Sequence, residues 1–136
     1  MLVEHARSLG IADATHAESS TGGTHIVSPL SCSLAGQTID VMVTSGTRLS
    51  SLHGGAPIIS EETMCSYGLD PQHQHIASEG GMVVAGIDDT GEVRAIERAD
   101  HPFFVATLYL PQLRSTPAEP HPVWLGFLEA ITARSG

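Results

Sequence analysis

Asp100-His101-Pro102-Phe103-Phe104-Val105-Ala106-Thr107-Leu108-Tyr109-Leu110-Pro111-Gln112-Leu113 is the stretch on which the fold turns. Phe103 to Leu110 is a nearly unbroken apolar run of strand length, which predicts a central strand buried on both faces. Pro111 ends it, having no N–H for the ladder. Upstream, Met82 to Ile87 and Glu92 to Arg98 flank Asp88-Asp89-Thr90-Gly91, a hairpin signature with glycine where positive φ is needed. Downstream, Thr116 to Pro122 is proline-rich and extended. Pro122 at the first helical position then starts a closing helix to about Arg134, with Trp124, Leu128 and Ile131 on one face and Phe127 adjoining.

The earlier part of the chain alternates in the same way. Leu2, Ala6 and Leu9 make an apolar stripe and Gly10 a C-terminal stop, which predicts a helix ending there. Ala14 to Thr24 is small and polar and reads as a loop, with Glu18 just before Ser19-Ser20-Thr21-Gly22-Gly23. Ile26 to Leu30 and Thr38 to Thr44 read as strands, the second alternating around Ile39, Val41 and Val43. Ser45 to Ala56 is rich in glycine and serine and predicts a surface loop. Glu62 to Tyr67 predicts a strand, and Asp70-Pro71 opens a short helix to about Ser78, which Gly80-Gly81 closes. With no repeat, coiled coil or linker, residues 1–136 are expected to form a single α/β domain.

Composition narrows the partners. The 136 residues carry 15 acidic side chains against six arginines and no lysine, a formal charge of −9. That balance repels phosphate backbones and anionic lipid, so neither nucleic acid nor membrane is an expected partner. Cys32 and Cys65 lack a Cys-x-x-Cys spacing and no signal peptide precedes them, which predicts reduced thiols and a cytoplasmic location.

The Asp100–Leu113 stretch resembles the C-terminal signature of class I glutamine amidotransferase domains of the type fused to CTP synthase. In that family His-Pro-Phe-Phe opens the last strand, which runs into Phe-His-Pro-Glu-Phe, where His is the general base for a cysteine nucleophile and Glu orients it. Here those five places read Tyr109, Leu110, Pro111, Gln112 and Leu113. A thiol needs an imidazole to become thiolate, and the imidazole a carboxylate to hold its tautomer. Leucine transfers no proton and glutamine carries no charge, so ordinary glutamine hydrolysis is expected to be absent.

The resemblance covers nearly the whole chain. Leu2 to Ala14 is similar to the family's helix and exit loop after the nucleophile. Thr15-His16-Ala17-Glu18 falls on a Ser-Thr-Glu segment whose Glu binds the amino group of glutamine, which implies substrate binding by Glu18. Met64-Cys65-Ser66-Tyr67-Gly68 falls on Arg-His-Arg-Tyr-Glu, so Ser66 stands where an arginine grips the substrate carboxylate. In the family a glycine-flanked cysteine elbow comes just before the segment that begins here at Met1, which implies an N-terminally truncated domain. The implied fold is α/β, the C-terminal part of a flavodoxin-like class I glutamine amidotransferase domain with a mixed sheet and a closing helix.

The other polar residues carry less. His73-Gln74-His75 has the wrong spacing for helical chelation, so surface histidines are expected, with no metal site and no cofactor. His101 reads as a strand-opening residue that hydrogen-bonds a nearby loop. Cys65 reads as a small buried hydrophobe rather than a nucleophile. Arg94 and Arg98 share a face with Ile96 and read as solvated. The expected protein binds an amino-group-bearing small molecule near Glu18, or acts as a homo-oligomer or with a partner chain that covers its sheet. An alternative is a fragment of an enzyme with altered cysteine-based hydrolase or transferase chemistry, its nucleophile lying upstream of Met1.

Overall fold

The computed structural model describes residues 1–31 and 33–134; the reading of Cys32 as a reduced thiol lies outside them. The elements run α1 (Leu2–Ser8), β1 (Ala14–His16), β2 (Thr24–Pro29), β3 (Gln37–Val43), α2 (Arg48–Leu52), β4 (Ile58–Thr63) and β5 (Tyr67–Leu69). A 3₁₀ helix (Pro71–Ser78), β6 (Met82–Ile87), β7 (Val93–Arg98), β8 (Val105–Thr107), a 3₁₀ turn (Pro111–Arg114) and α3 (Pro122–Arg134) follow.

Two sheets result. The mixed one has the order β1-β2-β5, with β1 parallel and β5 antiparallel to β2. The other has five antiparallel strands in the order β4-β3-β6-β7-β8. One core cluster joins Ala6 of α1, Ile26 of β2, Leu69 of β5 and Ile76 to Met82, Val93 and Ile96 of the larger sheet. A second joins Val41, Ile59, Ala85 and Ala95 to Leu49 of α2, Tyr109 and Val123 of α3. Strands β6, at the centre of the larger sheet, and β7 beside it contribute to both clusters, and it is β7 rather than Phe103–Leu110 that is buried along nearly its whole length.

That stretch is the first correction. Only Val105–Thr107 is strand, half-buried, and it lies at the edge of the five-stranded sheet. Its apolar side chains divide between the two clusters, Phe104 and Ala106 on the side of α1 and Phe103 and Val105 on the side of α2 and α3, where Phe103 meets Phe127 at 5.6 Å between ring centroids. The expected strand at Glu62–Tyr67 is divided between β4 and β5, one in each sheet. The expected loop at Ser45–Ala56 contains α2. Thr47 caps this helix by accepting the Ser50 N–H at 3.1 Å, and the buried Glu97 carboxylate accepts the N–H groups of Arg48 and Leu49 at 2.7 and 3.0 Å.

Arg94 is the next correction. It is 3% exposed rather than solvated, because Asp88 Oδ2 accepts from its Nε at 2.8 Å and Glu92 accepts from its Nη2 at 2.8 Å. Asp88 Oδ1 also takes the Thr90 N–H, the Thr90 hydroxyl and the Glu92 N–H, which locks the hairpin turn. Gly91 there has φ +83°, as the turn requires.

The closing helix starts at Pro122 as expected, but it is apolar all round and its buried side is Val123 and Gly126. A Cβ at Gly126 would lie 2.3 Å from Leu52 Cδ2, so the glycine lets α3 approach α2. Trp124 and Leu128 consequently face outward, 43% and 56% exposed. Among the described residues, no helix is long and apolar enough to cross a membrane.

Candidate functional site

Between α1 and the mixed sheet lies a cleft of about 530 Å³, lined by Leu2, His16, Glu18, Cys65, Ser66 and Tyr67 among others. Glu18 sits just past the end of β1, on the turn that leads to β2. Its backbone N–H donates to His16 Nδ1 at 3.1 Å, and its side chain is exposed at the cleft. The His16 ring in turn contacts Tyr67 at 5.1 Å between centroids. Strand β5 supplies Tyr67 because it pairs with β2, Pro29 opposite Tyr67. The fold thus brings Glu18 and Ser66, separated in sequence, to one cavity.

This cleft offers a carboxylate, an imidazole and a phenol ring beside apolar walls. An ammonium group can pair with Glu18 while its carbon skeleton lies against Tyr67 and Leu108. The place of an arginine clamp holds only the Ser66 hydroxyl, which is engaged with Ser33 Oγ at 2.9 Å. Cys65 is half-buried, and among the described residues no side chain hydrogen-bonds its thiol.

Leu110 and Gln112 do not line this cleft. They lie with Thr107, Tyr109, Trp124 and Phe127 along a separate groove of about 430 Å³. Their segment is tied to edge strand β4. The Leu110 N–H donates to Glu62 O at 2.8 Å, the Thr63 hydroxyl to Leu108 O at 2.9 Å, and Arg114 Nη1 to Ser60 O. His101 holds the loop before β8, its Nδ1 lying 2.8 Å from Phe103 O. His73 and His75 are 6.3 Å apart between ring centroids, and His73 Nδ1 is 3.6 Å from Asp70.

A group that sequence reading missed lies on the other side of the five-stranded sheet. His53 after α2, Glu61 on β4 and His121 at the start of α3 each offer a metal-type donor atom, all within 4.8 Å of one another. His121 Nε2 donates to Glu61 Oε1 at 2.9 Å, while its Nδ1 accepts the Val123 N–H at 3.2 Å. With Nδ1 accepting, the ring proton lies on Nε2. Burial pushes the His53 pKa below its ordinary value, helped by the neighbouring His121 and opposed by Glu61. The only sequence cue was His121-Pro122 at a helix start, which reads as capping.

The mixed sheet, the antiparallel sheet and the closing helix together define an α/β domain of the class I glutamine amidotransferase type. The fold matches the glutaminase domain of Trypanosoma brucei CTPS with bound acivicin at a TM-score of 0.89, covering 97% of this chain and 56% of that one at 23% identity. Among curated proteins, the chain is 33% identical over 95 residues to the CTP synthase of Bradyrhizobium sp. (strain BTAi1), covering 69% of this chain and 18% of that protein. It is 36% identical over 87 residues to the CTP synthase of Thermobifida fusca, covering 62% and 16%. No family model matches. The chain is a glutaminase-like domain related to CTP synthase, and the aligned part spans less than a fifth of the length of the Bradyrhizobium and Thermobifida proteins.

Proposed function

We propose that this glutaminase-like domain has lost ordinary glutaminase activity and works as a binding domain, taking an amino-group-bearing small molecule in the Glu18 cleft. The observation that carries the reading is the pairing of a carboxylate at the cleft, Glu18, with leucine and glutamine at the places of the family's His and Glu. Leu110 and Gln112 occupy the places of the family's His and Glu, and they line a different groove from Cys65. A cavity of about 530 Å³ with one free carboxylate and an aromatic wall suits a small amine better than a flat macromolecular surface. Glu18 would hold the ammonium group, and Tyr67 and Leu108 the skeleton; without an arginine at position 66 a carboxylate on the ligand gains little.

The test uses L-glutamine and a series of primary amines in titration calorimetry, beside an ammonia-release assay. We expect no glutamine turnover above background. We also expect binding of at least one amine that Glu18→Gln weakens about tenfold, the size of one charge-assisted hydrogen bond. Glutamine hydrolysis by the purified chain would overturn the loss of activity. Amine binding indifferent to Glu18→Gln would overturn the site.

The partner-binding reading has a separate support, the outward apolar face of α3 with Trp124 and Leu128 exposed. A second copy of the chain is the occupant tested below.

A further inference from the structure

We propose that His53, Glu61 and His121 form a binding site for a divalent transition-metal ion of the zinc class, independent of the Glu18 cleft. Three parts of the chain converge to make it: the residue leaving α2, strand β4 and the residue just before α3. Glu61 and His121 are 3% and 4% exposed, so the carboxylate is held inside the protein with a single hydrogen bond, on Oε1. Its second oxygen and the Nε2 of His53 are both buried without a partner, and the Tyr109 hydroxyl is buried and unpartnered as well. Glu61 also acts electrostatically on Tyr109. Buried polar atoms are ordinarily satisfied, so unmet donors and acceptors gathered around one carboxylate point to something that belongs among them.

The chemistry of the donors selects the occupant. Two imidazole nitrogens and one carboxylate are the ligand set of zinc-type ions, whereas magnesium and calcium prefer oxygen alone. The His53 and His121 rings meet edge to face at 5.4 Å between centroids, close enough to turn toward a shared ion. A cleft of about 240 Å³, bounded by Ser60, Arg114 and Glu119, gives access from solvent and leaves a fourth position for water. Binding at His121 Nε2 displaces the proton now shared with Glu61. That proton moves by way of solvent to Nδ1, which gives up the Val123 N–H, so metal uptake switches the tautomer and releases no net proton. A single ordered water bridging the same atoms is the competing occupant, and it makes the opposite prediction on adding metal.

The test uses the untagged chain, treated with a chelator and then dialysed. Zn²⁺ is titrated by calorimetry, Co²⁺ by visible absorption, and thermal unfolding is followed with and without Zn²⁺. One Zn²⁺ per chain is expected, with a rise in Tm and the intense visible bands of four-coordinate Co²⁺. His53→Ala is the first variant, because that half-buried ring makes no hydrogen bond among the described residues. It should weaken Zn²⁺ binding at least tenfold and remove the Tm rise, while the Tm in chelator stays near that of the unaltered chain. If His53→Ala fails to fold, Glu61→Gln, which keeps the shape and removes the charge, reads the same loss. Equal Zn²⁺ affinity in the unaltered chain and the folded variant, no binding by the unaltered chain, or binding lost only on His75→Ala would each overturn the proposal.

Discussion

Asp88 shows how much one side chain does in this domain. Burial by itself would push its carboxyl up. The bonds from Thr90, Arg94 and Glu92 and the Arg94 charge more than offset that, so the folded-state pKa lies below the ordinary 3.8. A carboxylate depressed by folding contributes fully above its unfolded pKa, and the contribution is lost as pH falls through the folded value. Tm is therefore expected to fall as pH drops below about 4, and Asp88→Asn should lower Tm at neutral pH while flattening that acid limb. Parallel acid limbs in the two proteins would show that Asp88 adds nothing. Sequence placed the turn correctly from Asp88-Asp89-Thr90-Gly91 but left Arg94 in solvent. The sequence of β7 does not reveal that a buried carboxylate, Asp88, and a half-buried one, Glu92, receive the guanidinium.

At the scale of elements, what was legible is what local chemistry decides. Pro122 and Asp70-Pro71 mark helix starts, and the hairpin is set by its own turn residues. What was hidden depends on distant residues. The five-residue α2 is too short to persist alone and is held by Glu97, 48 to 49 positions away. The helix α3 carries apolar residues on every side, so periodicity could not choose its inner face; the close approach at Gly126 chose it. Family resemblance singled out Glu18, which lies at a cleft, whereas His53, Glu61 and His121 are scattered along the chain and meet only in three dimensions. Strand β6 depends on another close approach. At its irregularity, a Cβ on Gly86 would lie 2.6 Å from Cγ1 of the fully buried Val41. Gly86→Ala should cost about 2 kcal/mol through overpacking, measured by urea unfolding; an unchanged midpoint would show that Val41 yields freely.

The whole molecule is a five-stranded sheet covered on both faces, with α3 turning apolar side chains to the outside. Trp124 is the one tryptophan and reports directly on that face. In dilute solution its emission is expected to be that of a hydrated indole, readily quenched by acrylamide. Shielding that appears at micromolar concentration and vanishes on dilution would mean that a second copy covers α3. Emission that stays open to quencher at every concentration would remove self-association from the functional choices.

The segment from Leu110 to Arg114 has one more consequence. By donating to the carbonyls of Glu62 and Ser60, it occupies the free rim of β4, whose outer side also carries the exposed Ile58. An open strand rim with apolar side chains invites a neighbouring chain to add on as a further strand. Two of the carbonyls on that rim are thereby taken up within the chain and are closed to such an addition. Loosening the segment would be felt first as precipitation on storage.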